Sequence, residues 1–288
     1  TNNGKENIEM IGNKSLKIIG RIFTYIVLIV VLIVTVYPLI WMIFGSLKTD
    51  TEFYTNIWLW PSDPQWATYG AAWERVQIGQ KYINSIIVFV VTMLIIIPVN
   101  NCAAYAIART QFKGKRMLYS YLLLGIMIPA GVLGIPIFTV VMRLGLNNTL
   151  AGLILVYSAQ AVSFGVFILR SFYISLPKSL EEAAMIDGTS RFGSFVRIIL
   201  PLATPGIMTQ VIFNGLTVWN EYFIASLLIN KEAKQTLPIG LSMFINQYGV
   251  DYPEMFAALV LVTVPMIIVY LIGQKTFIEG MCAGAVKG

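Results

Sequence analysis

The sequence predicts an all-α, polytopic membrane protein with six transmembrane helices. Charge is scarce: 57% of the 288 residues are hydrophobic and only 12% are charged, about half the charged share of a soluble domain. Mean hydropathy is +0.75. Six windows free of Asp, Glu, Lys and Arg are long enough to cross a bilayer. In lipid the backbone must satisfy its own hydrogen bonds, so such windows form helices or helix pairs.

The windows are Ile22–Leu47, Tyr82–Ala108, Met117–Met142, Leu144–Leu169, Ile198–Asn220 and Met255–Gln274. The first is too long, and lacks the small-residue cleavage site, to be a removed signal peptide. The fifth resumes after Glu221 as Tyr222–Ile229, which places a carboxylate inside the outer part of that span. With flanking turns the spans run over about 20–47, 82–108, 117–142, 144–170, 200–229 and 254–275. No internal repeat or linker divides the chain, so residues 1–288 read as one domain.

Lys and Arg set orientation. With the N-terminus in the cytoplasm, 14 of the 20 cations fall in cytoplasmic segments. Both termini are therefore expected inside. Trp58, Trp60, Trp66 and Trp73 then fall in the first external loop, where aromatics suit the membrane–water interface or a partner.

Composition excludes several chemistries. There is no His, so Ser–His–Asp triads and His–metal sites are ruled out. Cys102 and Cys282 fit neither a disulfide framework nor a zinc spacing. The net charge of +6 is dispersed between apolar runs, unlike a nucleic-acid patch. The phosphate-cradling pattern G-x-x-x-x-G-K-[ST] is absent: Gly114-Lys115 is followed by Arg116 and lacks the upstream Gly. No catalytic residue, metal site or cofactor is expected.

Polar side chains at depth are costly unless turned inward. Asn84, Asn100, Asn101, Gln160, Ser163, Asn214 and Asn220 are such residues. Each either lines a path or holds helices together. Glu221 either lies near the external interface or faces the bundle interior. Pro98, Pro129, Pro136 and Pro265 mark expected bends or gates.

The cytoplasmic stretch Ser179–Pro201 reads SLEEAAMIDGTSRFGSFVRIILP. Ser179 and Glu182 have capping-box spacing, so a helix is expected from about Leu180. Gly188 suits the left-handed stop of that helix. Ser190 is placed to cap a second helix carrying Phe192, Phe195, Val196 and Ile199 at helical spacing. Local physics leaves two readings open, a solvated connecting loop and a low-profile helix that docks in a groove of another protein.

The same stretch resembles the loop signature of inner-membrane permease subunits of binding-protein-dependent ATP-binding-cassette importers. That signature is E-A-A, three residues, G, nine residues, I, one residue, L-P. Here Glu182-Ala183-Ala184, Gly188, Ile198 and Leu200-Pro201 fill every fixed position. The resemblance implies a cytoplasmic coupling-helix loop over about 171–199 that docks in a separate ATPase subunit, with Glu181, Glu182, Ala183, Ala184, Asp187 and Gly188 as its coupling residues.

Other segments point to the carbohydrate branch of that family. Ala104-Tyr105, Arg109, Phe112 and Gly114 look like its second span and basic turn. Ile128-Pro129, Ile135-Pro136, Leu144-Gly145-Leu146 and Asn148-Thr149-Leu150 are similar to its third span and outer turn. Trp219-Asn220-Glu221 resembles its fifth-span motif. The tail Gly280–Gly288 closely resembles the end of the maltose-type second permease subunit.

The resemblance implies several partners: a second homologous permease subunit, two ATP-binding-cassette ATPase subunits and an extracytoplasmic solute-binding protein. It implies a multi-pass protein of a bacterial or archaeal inner membrane, in contact with lipid and not with nucleic acid. It gives the tail, residues 276–288, a possible second ATPase contact through Gly284, Ala285, Val286 and Lys287, against a frayed terminus. ATP hydrolysis is expected on the partners. Candidate path residues are Asn100, Gln160, Asn214, Trp219, Asn220 and Glu221, although in the maltose type the other permease subunit builds most of the sugar site. The leading expectation is half of the translocation path for a carbohydrate, an oligosaccharide above all. Alternatives are a permease for a non-sugar solute or an ion-coupled secondary transporter.

Overall fold

A computed structural model describes the backbone of residues 3–246 and 249–285, and side chains at residues 18, 20–245, 250–268 and 271. Helices dominate. Three are long and apolar enough to cross a membrane: Gly20–Ser46 within α1 (Asn3–Ser46), α4 (Ile78–Arg109) and α7 (Leu150–Ser175). Two more candidates are bent pairs. In the first, α5 (Lys115–Met127) meets the segment containing α6 (Gly134–Arg143) at 96°. In the second, Arg191–Leu202 meets α11 (Thr204–Asn220) at 70°. Among the described residues this gives three spans, or up to five if each bent pair counts as one. The sixth window lies in α14 (Tyr252–Ala285), whose Tyr252–Ile268 part is a shorter apolar helix.

The chain divides into two compact units. The first comprises residues 1–72 and 248–261. Apolar side chains of α1 are largely exposed from Ile22 to Val34, as expected of a helix facing lipid. Below it, α2 (Asp50–Thr55) packs an aromatic cluster: Phe53 stacks on Tyr252 with centroids 5.0 Å apart, and Trp41 meets Phe256 edge-on at 5.0 Å. The following loop is pinned by polar contacts. Lys48 Nζ donates to the carbonyl oxygens of Asn56 and Ile57. Burial pushes this ammonium below its ordinary range, and Glu52 opposes the shift. Glu52 Oε1 accepts from Ser62 N (2.7 Å) and Ser62 Oγ (2.9 Å). The backbone bond from Ser62 holds the Glu52 carboxyl below its usual value. Trp58, Trp60 and Trp66 are exposed.

The second unit comprises residues 73–247 and 262–288. Its spine is α4 packed on α7. Val88, Met93 and Ile96 meet Leu153, Val156, Tyr157 and Ala161 in one apolar cluster. Ala104, Tyr105 and Ile107 meet Val166, Leu169, Tyr173, Phe195 and Ile199 in another. Between them lies a belt of buried amides. Asn101 Oδ1 accepts from Tyr173 Oη at 2.5 Å, and Asn100 Nδ2 donates to Ala161 O at 3.3 Å.

Three local expectations change. The fourth helix begins at Leu150, not near 144. Gly145 (φ 68°) and Asn148 (φ 55°) take left-handed conformations that a helix cannot contain, and Thr149 Oγ1 caps α7 through Gly152 N. Asn148 Oδ1 instead accepts from Asn230 N and Lys231 N, fixing this turn to the segment after α12 (Phe223–Leu228). Ser179 does not cap its helix. Lys178 is already in right-handed helical geometry (φ −66°, ψ −28°), so Ser179 is the first residue of α8 (Ser179–Ile186) and no side-chain cap bond forms. Finally, Pro98 lies within a continuous α4, whereas the breaks fall at Pro129 and around Ala203.

Gly165 on α7 lies where an added Cβ would meet the Asn100 amide and approach Gln210 Cδ to 3.2 Å. G165V is therefore expected to lower stability by about 1–3 kcal/mol through overpacking, read from the thermal midpoint in detergent. N100A should recover much of that loss. Glu52 gives a pH prediction for the loop after α2. Its folded value is depressed, so its contribution is present at neutral pH and lost as pH falls through the folded value. Proteolysis of residues 48–66 should accelerate on going from about pH 7 to about pH 3. E52Q should cleave faster at neutral pH and lose that pH dependence.

Candidate functional site

The loop between α7 and α11 folds as a short helix, a tight turn and a second helix. In the turn after α8, Asp187 N, Gly188 N and Thr189 N bond to Ala183 O, Met185 O and Ala184 O, with Gly188 at φ 81°. Ser190 Oγ accepts from Gly193 N and starts α9 (Arg191–Ser194). The chain then widens into a π-turn, Phe195–Ile199, before α10 (Leu200–Leu202).

This loop is braced to the end of α4 by one carboxylate. Tyr105 Oη donates to Glu181 Oε1 at 2.6 Å. Arg109 Nε lies 3.4 Å from Glu181 Oε2, an ion pair without hydrogen-bond alignment. Arg109 Nη2 donates to Leu176 O at 2.6 Å. Arg109 and Glu181 are both largely buried, at 4% and 13% side-chain exposure, so the pair is shielded from solvent screening.

α8 divides by face. Ala184 is buried, while Glu182, Ala183, Asp187 and Gly188 are exposed. Ile186 is 85% exposed at the helix tip, beside Met185.

A second feature lies deeper. A cavity of about 240 Å³ between α7 and α11 is lined by Tyr157, Gln160, Phe164, Phe213, Asn214 and Glu221, among others. It combines amides, a phenol and two aromatic faces. Glu221 is heavily engaged: Tyr157 Oη (2.6 Å), Ile224 N (2.7 Å) and Ala225 N (2.9 Å) all donate to its carboxylate. It caps the half-helix α12, with its negative charge at the positive end of that helix.

The sequence-predicted path residues therefore separate. Gln160, Asn214 and Glu221 share the cavity. Asn100 is buried in the amide belt with Gly165 and Gln210. Trp219 packs against Tyr82 and Phe89, and Asn220 Nδ2 returns to Leu216 O. Of the tail residues, Gly284 and Ala285 are described by their backbone alone, and Val286 and Lys287 lie outside the described residues. Sequence reasoning missed Gln210, which is fully buried with both amide atoms unbonded within the chain. Its place in an uncharged window was the available signal. The role of Tyr105 and Arg109 in holding Glu181 was also missed, because no local spacing links residues so far apart.

A profile of the family described as "Binding-protein-dependent transport system inner membrane component" matches residues 100–281. The chain is 35% identical to the probable ABC transporter permease protein YurM of Bacillus subtilis, over 94% of this chain and 90% of that one. It is 32% identical to the diacetylchitobiose uptake system permease protein NgcG of Streptomyces coelicolor, over 88% and 85% respectively. Among solved structures, a bacterial ABC transporter involved in import of the acidic polysaccharide alginate shares the fold, with TM-score 0.78 and 24% identity over 89% of this chain and 96% of that one. The chain thus belongs to the inner-membrane components of binding-protein-dependent transport systems. It is a multi-pass membrane permease subunit of an ABC importer, a transport component and not an enzyme.

Removing Glu181 would leave the Arg109 guanidinium buried without its counter-charge. E181A is expected to cost about 3 kcal/mol and to speed trypsin cleavage at Lys178 and Arg191. Y105F removes one neutral donor and should cost about 1 kcal/mol. Denaturant unfolding of each variant checks both values, and a double-mutant cycle between Glu181 and Arg109 isolates the ion pair.

Proposed function

We propose that this chain forms half of the translocation path for a carbohydrate, with α8 seated in a cleft of a separate cytoplasmic ATPase. The observation that carries the coupling role is Ile186, exposed at the tip of a helix whose other side is braced through Glu181. Ala183 keeps the docking face low, and Glu182 and Asp187 offer charge to cations across the interface. ATP-driven movement of the ATPase would pull on α8, and the Glu181 brace would pass that pull to α4. Alternating access follows as a rigid-body, two-state change.

In this reading both termini are cytoplasmic, and a second homologous permease completes the path. Two ATPase subunits sit below, and an extracytoplasmic binding protein delivers solute. The tail, Gly284 to Lys287, supplies a second ATPase contact. The α7–α11 cavity supplies path contacts: Gln160 and Asn214 offer amide hydrogen bonds, and Phe164 and Phe213 offer faces on which a sugar ring stacks. An oligosaccharide substrate is supported by NgcG, named for diacetylchitobiose uptake, and by the amides and aromatic faces that line the cavity.

The test is co-purification from membranes followed by ATPase assays. Wild-type chain should retain a soluble ATPase whose hydrolysis rises with binding protein and sugar. I186D should lower retention of that ATPase about tenfold, as expected for burying a charge in an apolar contact. Q160A should leave retention intact and weaken sugar stimulation. Stimulation by a non-sugar solute alone would overturn the carbohydrate assignment. Uptake driven by an ion gradient without nucleotide would overturn the importer role.

A further inference from the structure

An open hollow of about 700 Å³ lies between the end of α4, the start of α5 and the end of α7. Three cations line it, Lys115, Arg116 and Arg170, and no lining residue is acidic. Lys115 Nζ donates to Thr110 O at 2.9 Å, which anchors it at the rim. Arg170 lies over the Tyr119 ring, with Cζ 4.0 Å from the centroid. Its Nε is buried and makes no hydrogen bond within the chain. Arg116 is exposed and forms no ion pair among the described residues.

Three cations gathered without a counter-charge repel one another, and an anion among them removes that cost. Two further features favour phosphate. α5 starts here from Gly114 with no side-chain cap; Lys115 N turns back to Phe112 O, and the positive end of the helix at Arg116 and Met117 faces the hollow uncapped by any side chain. The stacked Arg170 presents a planar donor fork suited to phosphate oxygens. The same helix then exposes Met117 (80%) and Tyr121 (71%) where the uncharged sequence begins. The cationic hollow therefore adjoins an apolar surface at the edge of the membrane-spanning run. A basic pocket between membrane helices is a recurrent headgroup site.

We propose that this hollow binds the phosphodiester headgroup of an anionic phospholipid, with acyl chains along the exposed face of α5. The site rests on the fold and is independent of which solute is carried. The full chain, purified in neutral detergent, would be titrated with phosphatidylglycerol or phosphatidylcholine and read by native mass spectrometry. Phosphatidylglycerol should be retained about tenfold better, and R116Q should reduce that retention about fivefold. R116K should keep it. Arg116 makes no contact that the fold needs, so R116Q separates binding from folding; R170K tests the stacked fork and should also weaken retention. A large excess of inorganic phosphate should not displace the lipid. Equal retention of the two lipids, or unchanged retention by R116Q, would overturn the proposal. Displacement by inorganic phosphate alone would overturn the lipid as the source of the phosphate.

Discussion

The pairing of α4 with α7 is the constraint on which the second unit depends. Lipid offers no hydrophobic drive to bring two helices together, so close packing and buried polar contacts must do it. The two helices meet through an apolar cluster at each end and amides between them. The upper cluster also takes Ile224, Ala225 and Leu228 of α12. The lower one takes Phe195 and Ile199, from which the loop helices hang. The loop thus hangs from one end of the pair, and the cavity opens along the α7 face that meets α11.

Three carboxylates share one task in this chain. Glu52 gathers the loop after α2, Glu181 ties α8 to α4, and Glu221 caps α12. Each accepts from partners fixed by the backbone or by a buried side chain. The engagement of Glu221 ties α7 to the start of α12 through Tyr157.

Much of this was legible in the sequence, and the reasons are local. Uncharged runs announce membrane helices because bilayer thickness sets their length. Gly188 and Ser190 were readable because left-handed stops and caps depend on one or two residues. Ser179 misled because capping-box spacing says nothing of the backbone angles at Lys178, which had already joined the helix. The break at Leu144–Thr149 was hidden because Gly145 and Asn148 are uncharged, and hydropathy does not register φ. Among the path residues, spacing could not sort Gln160 and Asn214, which face a cavity, from Asn100, which faces other helices. That distinction depends on the rotation of each helix about its axis, which neighbours set. Tyr105, Arg109 and Glu181 became one unit only when the fold brought them together.

The missing side chain at Gly165 has a mechanical consequence. The Asn100 amide of α4 fills the space beside α7, and Gln210 of α11 lies against the same point. Three helices thus share a volume that holds no spare room. In an interior packed to crystal-like density, one of them cannot slide without evicting another's amide. α4, α7 and α11 are thus interlocked at one point on the α7 surface, where a side chain on Gly165 would have no place.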